Sequence, residues 1–236
     1  DEWLHRPGHP EFEVERSWDE KARQVELKVK QTQELKDSVP LFRTPVVLEF
    51  GTDDGTWWET VEIEKAEHTF RFRAPRRPSM VLFDPDGALL KKLTFKKEKE
   101  ELIWQLAHAK GVWARMEACD GLGRFVGDKA AVDALEKAST KDRFWGVRRS
   151  ACLALGEVGS PDARDALLRS LKGQDSRVRR GIYRALGKFR KDDAAFRALS
   201  KAYTEDGTYL PMATAARALG ESRHPKAFET IGRGRD

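Results

Sequence analysis

The chain has 236 residues, with 44 Lys and Arg against 39 Asp and Glu, a formal net charge of +5 and two cysteines. That length is enough for two parts that each bury a core. No apolar run is long enough to cross a bilayer as a helix, and no signal peptide is visible. The chain opens at Asp1 without a methionine, as expected of a piece of a longer protein. A targeting segment could lie upstream, so the compartment stays open.

Up to Lys96 the apolar residues recur with period two. Phe12, Val14 and Trp18 alternate with polar residues, as do Val25, Leu27 and Val29, then Val46, Leu48 and Phe50. Val61 and Ile63, Phe70 and Phe72, and Val81 and Phe83 continue the pattern. Alternation of this kind predicts half-buried antiparallel strands. Asp53-Asp54-Gly55 and Asp84-Pro85-Asp86-Gly87 supply turn residues ending in the glycine that tight hairpins use. Short strands at this spacing predict an antiparallel β-sandwich over residues 1–96.

The polar run Lys96–Glu101 leads into Leu102, Ile103, Leu106 and Ala109, a helix expected to seal the first end of a helical stack. Residues 97–236 form the second expected domain. A Leu-Gly pair recurs there at Gly123, Gly156, Gly187 and Gly220, spaced by 33, 31 and 33 residues. Five residues before each glycine stand Ala118, Ala151, Ile182 and Ala215; eight before stand Arg115, Arg148, Arg179 and, as the exception, Met212. A period of about 20 to 50 residues means stacked supersecondary units.

Within one unit, Val147, Ala151, Ala154, Leu155 and Val158 make a helical stripe. Ser160-Pro161-Asp162 then caps a second helix through Ala163, Ala166 and Leu167, which Gly173 closes. The fold class is therefore an antiparallel β-sandwich followed by an α-solenoid of helical hairpins. Cys119 and Cys152 occupy equivalent positions in adjacent units. Packed helices stand about 8–10 Å apart, beyond disulfide reach, so buried thiols are expected. The run Asp175 to Gly187, "DSRVRRGIYRALG", resembles a HEAT repeat of the short, bacterial, lyase-associated type. In that family the arginine after the valine often joins an aspartate ladder. The resemblance gives that part to Arg148 with Asp142 and to Arg179 with Asp175, with Arg115 at the matching position one unit earlier.

The chain carries no HExxH, no CxxC, no GxSxG elbow and no phosphate loop with its lysine. His5 and His9 have helical metal-site spacing, but Pro7-Gly8 between them opposes a helix. "GLGRFVG" at Gly121 follows a predicted helix and is explained by the repeat. No catalytic and no metal-binding residue is assigned.

"WLHRPGHPEFEVE" and "VELKVKQTQ" resemble the start of the β-sandwich domain in the aminopeptidase N family of zinc peptidases, at Trp3, Gly8, Pro10, Val14, Gln31 and Gln33. "TPVVLEFG" and "VLFDPDGALL" continue that resemblance. It implies that this chain is the non-catalytic C-terminal region of a zinc-dependent aminopeptidase, the solenoid packing over the catalytic domain and shaping substrate access. It also implies that zinc belongs to a preceding catalytic domain absent here. Peptide substrates would be met through that parent enzyme. The second helix of each hairpin would line an electropositive chamber.

Gln31 and Gln33 continue the inward parity of Val25, Leu27 and Val29. A buried amide without a partner costs about 1–3 kcal/mol, so these two, with Trp3, Gly8 and Pro10, are candidates for the junction with the missing domain. An alternative function is a HEAT-repeat interaction scaffold without peptidase activity. A third, nucleic-acid binding, draws on charge. Residues 1–96 carry 16 Lys and Arg against 19 Asp and Glu (net −3), and residues 97–236 carry 28 against 20 (net +8). That excess is modest, and Trp104, Trp113 and Trp145 are read as core residues, so nucleic acid is disfavoured.

Overall fold

Alternating apolar residues build seven strands among the described residues, 8–34 and 41–233, of this computed structural model. β1 (Glu11–Asp19), β2 (Gln24–Gln31), β5 (Glu67–Arg73) and β7 (Lys92–Phe95) form one sheet in the order β5-β2-β1-β7. β3 (Thr44–Thr52), β4 (Gly55–Ile63) and β6 (Met80–Phe83) form the second, ordered β4-β3-β6. The two sheets share one core. Phe12, Val14, Val25, Leu27 and Val29 from the first sheet meet Val46, Leu48, Phe50, Val61 and Ile63 from the second. Because side chains alternate across a pleated strand, the first sheet spends one parity on this cluster, whereas the second is buried on both parities from Leu48 to Thr52 and along Met80–Phe83.

Two turns behave differently from each other. β3 passes into β4 through Asp53-Asp54, with Thr52 paired to Gly55 and Gly55 at φ +139°. The Asp84 turn was expected to close a hairpin and does not. Asp84 takes a positive φ of 56°, and its carboxylate accepts the backbone N–H groups of Ala88 (2.9 Å) and Leu89 (3.0 Å) and pairs with Lys91. This knot sends the chain across to the other sheet, where β7 pairs with β1 in parallel rather than antiparallel fashion. Parallel neighbours need a crossover, and that is the reason for the departure.

α1 (Lys99–His108) begins on the sandwich. The Glu101 carboxylate accepts from the Val81 N–H at 3.0 Å and pairs with Arg16 at 2.8 Å. The Trp104 ring lies so close over Gly51 that a Cβ there would come within 2.6 Å of it. The chain divides into two compact units between Gln105 and Leu106, inside this helix.

The second unit is built from helical hairpins. Their first helices are α2 (Val112–Leu122), α4 (Trp145–Val158), α6 (Ser176–Leu186) and α8 (Tyr209–Ser222). Their second helices are α3 (Lys129–Lys141), α5 (Pro161–Ser170), α7 (Asp193–Glu205) and α9 (Ala227–Arg233). Three of the second helices start on a side-chain cap: Asp128 accepts from Ala131 N–H, Ser160 from Ala163 and Asp192 from Ala195. Each cap satisfies an orphan amide of the first turn.

First helices stack through the recurring glycine. A Cβ on Gly123 would stand 3.3 Å from Ala154 Cα, on Gly156 3.0 Å from Ala185 Cα, and on Gly187 3.1 Å from Ala218 Cα. Gly220 has nothing within 4 Å of that position. On the second helices, the buried hydroxyls of Ser139 and Ser170 meet at 2.7 Å. Cys119 and Cys152 are buried and free, and burial pushes the Cys152 thiol up to about 12 and Cys119 in the same direction. Trp113, expected in the core, is instead 54% exposed. It is the second residue of α2, just before the buried stripe begins at Ala114.

The glycine contacts predict opposite effects for one chemical change. Gly156→Ala must push Ala185 backbone away, and is expected to lower unfolding free energy by about 1–2 kcal/mol. Gly220→Ala meets open space inside a helix and is expected to raise it by about 0.5–1 kcal/mol. Urea denaturation followed by circular dichroism checks both. Equal effects would refute the close approach.

Candidate functional site

Three arginines of the helical unit repeat one arrangement. Each sits eight residues before its glycine, at the start of a first helix, and uses its guanidinium in two directions. One edge closes the loop before its own helix: Arg115 donates to Lys110 O at 2.7 Å, Arg148 to Asp142 O at 2.9 Å, and Arg179 to Gln174 O at 2.8 Å. The other edge reaches a carboxylate 27 residues further on, in the loop before the next first helix. The pairs are Arg115 with Asp142 (2.8 Å), Arg148 with Asp175 (3.5 Å) and Arg179 with Asp206 (2.7 Å).

The three rungs are unequal. Arg115 and Asp142 are nearly buried, and Arg179 grips Asp206 through both its Nε and Nη2. In the middle, Gln174 takes the Arg148 Nε at 3.0 Å and donates to Ser139 O at 3.0 Å, loosening the direct pair. Asp206 also accepts from the Tyr183 hydroxyl at 2.7 Å. Hydrogen bonds from Arg179, then from Tyr183, hold the Asp206 carboxyl below the usual carboxylate range against the opposing effect of burial. Burial and the same carboxylate push the Tyr183 phenol up.

The resemblance had paired Arg148 with Asp142 and Arg179 with Asp175. The side chains instead bond the carboxylate of the following hairpin, while Asp142 offers Arg148 its backbone carbonyl. Arginine is long enough to span the gap between stacked helices, so its charge goes where the next loop arrives. Trp145, expected in the core, is half-buried and lies 4.3 Å beneath the Arg177 guanidinium, a cation–π contact at the edge of this ladder.

A second basic feature went unrecognised in the sequence. Arg149 and Arg180 each follow a ladder arginine directly, and one residue is about 100° around a helix. The second arginine of each doublet therefore leaves the ladder. With Arg184 and Arg217 they line a groove of about 280 Å³, walled by Leu210 and Ala213, with Glu221 at its side. Gly181 makes room for the Arg149 stem, since a Cβ there would come within 2.9 Å of Arg149 Cγ. The groove lies on first helices, not on the second helices where an electropositive surface was expected. The cause is periodicity: the Arg-Arg doublets stand in the first helices.

Gln31 and Gln33 find partners inside the sandwich. Gln31 donates to Phe42 O at 2.9 Å and Lys65 O at 3.2 Å, and accepts from Phe42 N–H at 3.0 Å. Gln33 donates to Gln31 Oε1 at 3.0 Å and accepts from Glu11 N–H at 3.2 Å. Both amides are thus hydrogen-bonded within the sandwich rather than left for an outside partner, as the parity had suggested. Pro10 is buried and its carbonyl accepts from Lys92 N–H at 3.0 Å, whereas Gly8 is exposed. Trp3 lies outside the described residues.

Among the described residues no group of three His, Cys, Asp or Glu could hold a metal ion, and no helix is long and apolar enough to cross a membrane. His224, stacked on Phe196 at 3.9 Å, hydrogen-bonds Asp193 at 2.9 Å.

Residues 137–210 match the HEAT repeats family. Transcription initiation factor TFIID subunit 2 of Drosophila melanogaster is 21% identical over 188 residues, covering 68% of this chain and 15% of that protein. Among solved structures, aminopeptidase A of Legionella pneumophila in complex with aspartic acid aligns with a TM-score of 0.65 at 14% identity, over 98% of this chain and 34% of that one. The phycocyanin lyase complex of CpcE and CpcF from Nostoc sp. shares 25% identity over 60% of this chain and 65% of that chain, with a TM-score of 0.46. The chain thus spans only a third of the aminopeptidase's length and less of the transcription factor subunit's.

The ladder yields two measurements. Arg115→Met leaves Asp142 nearly buried without its partner, and is expected to cost about 3–5 kcal/mol in urea denaturation. Arg148→Met, at the looser rung, is expected to cost clearly less. The depressed Asp206 carboxyl contributes stability that is complete above the unfolded value of about 3.9 and is lost as pH falls through its folded value. Asp206→Asn is therefore expected to flatten the fall of the urea midpoint below about pH 4. An unchanged acid limb would remove Asp206 as a contributor.

Proposed function

We propose that this chain is the non-catalytic C-terminal region of a zinc-dependent aminopeptidase, which removes N-terminal residues from peptides. The sandwich serves as a spacer, and the helical stack packs over the catalytic domain and shapes substrate access. The observation that carries this reading is the order of parts: a sandwich followed by stacked hairpins, matched by the Legionella aminopeptidase over 98% of this chain. Gly8, exposed ahead of β1, would face the catalytic domain, with Gln31 and Gln33 tying down the strand end behind it. On this reading zinc belongs to a preceding catalytic domain, and the residues of this chain supply shape and charge around a site that lies in another domain.

A second reading, an interaction scaffold without peptidase activity, is supported by the HEAT repeats and by the likeness to TFIID subunit 2 over 68% of the chain. Stacked hairpins present long surfaces suited to protein partners.

One assay separates the two. The complete polypeptide containing this sequence, tested on a panel of aminoacyl-coumarin amides, is expected to hydrolyse at least one of them. It is also expected to contain stoichiometric zinc and to lose activity with chelator. The 236-residue chain alone is expected to release no fluorophore. A complete polypeptide that is inert and zinc-free transfers the assignment to the scaffold. Hydrolysis by the present chain alone would refute both.

A further inference from the structure

The groove on the first helices concentrates positive charge that the molecule does not neutralise. Arg217 pairs with Glu221 on its own helix at 2.8 Å. Among the described residues, no carboxylate pairs with Arg149, Arg180 or Arg184. The ladder arginines one residue earlier are all paired, so a nearby carboxylate is not simply scarce. Three guanidiniums gathered round one depression repel each other, and an anion relieves that repulsion.

The geometry narrows the anion. Arg180 and Arg184 are one turn apart on α6, about 6 Å along the axis. In an extended peptide, alternate side chains fall on the same face about 6.7 Å apart. Two carboxylates at alternate residues therefore match these two guanidiniums, each guanidinium able to donate a bidentate pair to one carboxylate. Arg149, laid across Gly181, approaches the same groove from the neighbouring helix. The far wall is apolar: Leu210 is 54% exposed and Ala213 is also open. A phosphodiester strand fits less well. No aromatic ring lines the groove to stack a base.

We propose that this groove receives an acidic segment of a partner protein, extended, with carboxylates at alternate residues and an apolar side chain flanking them for Leu210 and Ala213. This goes beyond the accessory-region reading and does not depend on it. The measurement needs only the present chain, so its failure leaves the hydrolysis assay untouched.

The test is fluorescence anisotropy with a fluorescein-labelled peptide of alternating Glu and Ala ending in Leu. A Gln-for-Glu copy and an oligothymidylate of equal charge serve as comparisons. The Glu peptide is expected to bind at low salt, to weaken as salt rises, and to outcompete both others. Arg180→Glu and Arg184→Glu are each expected to weaken it about tenfold. Lys172→Glu makes the same charge change at an exposed position outside the groove and is expected to weaken it less than about twofold. Thermal melts monitor folding. Should either Glu variant melt early, Arg180→Gln with Arg184→Gln replaces it with the same expectation. No binding by the unsubstituted chain, equal weakening by Lys172→Glu, or tighter binding of the oligothymidylate would each overturn the proposal.

Discussion

Everything in the helical unit depends on how closely one first helix approaches the next. Gly123, Gly156 and Gly187 remove a side chain where the partner offers only alanine, so backbones meet with no layer of larger side chains between them. That approach fixes rotation as well as distance. With the glycine on the contact line, the residue eight positions earlier is carried to the loop edge, where the next hairpin's aspartate arrives. The residue seven positions earlier turns onto the open face. A single packing constraint therefore sorts two consecutive arginines into different tasks, one bonded within the stack and one presented outward.

Much of this is written in local pattern. The Leu-Gly period, the capped second helix at Ser160-Pro161 and the alternation in β1 to β6 all depend on near neighbours, and they are legible for that reason. β7 is harder: Leu93 and Phe95 alternate over only four residues between lysines, and its parallel place beside β1 is set by the Asp84 knot, not by its own sequence. The ladder partners also escape a local reading. Asp142 and Asp175 each precede an arginine by a few residues, and only the spacing between stacked helices decides that the bond runs to the next hairpin. Gln31 and Gln33 are the clearest case. The partners of Gln31 at Phe42 and Lys65 are backbone groups far along the chain, and no side-chain pattern marks them.

The Arg-Arg doublets at Arg148 and Arg179 were plain in the sequence, yet a family pattern gave a task only to the first member of each. The helical angle between neighbours was the missing signal. A doublet on a helix cannot serve one site with both side chains, so an explained first arginine leaves the second in need of its own account.

In the fourth hairpin the pattern changes. Met212 stands where a fourth ladder arginine would be, so the series of rungs finishes at Asp206. Gly220 keeps the stacking residue, but open space faces it. Leu210 and Ala213 of α8 form a wall beside the arginines of α6. The rigid side of this groove is supplied by the well-gripped Arg179–Asp206 rung at the start of α6, and its adaptable side by the unpaired guanidiniums. A surface whose backbone is already fixed loses less entropy on meeting a partner than one that must first be ordered. The same interlocking that makes the stack stiff is thus what allows three unneutralised charges to be held together.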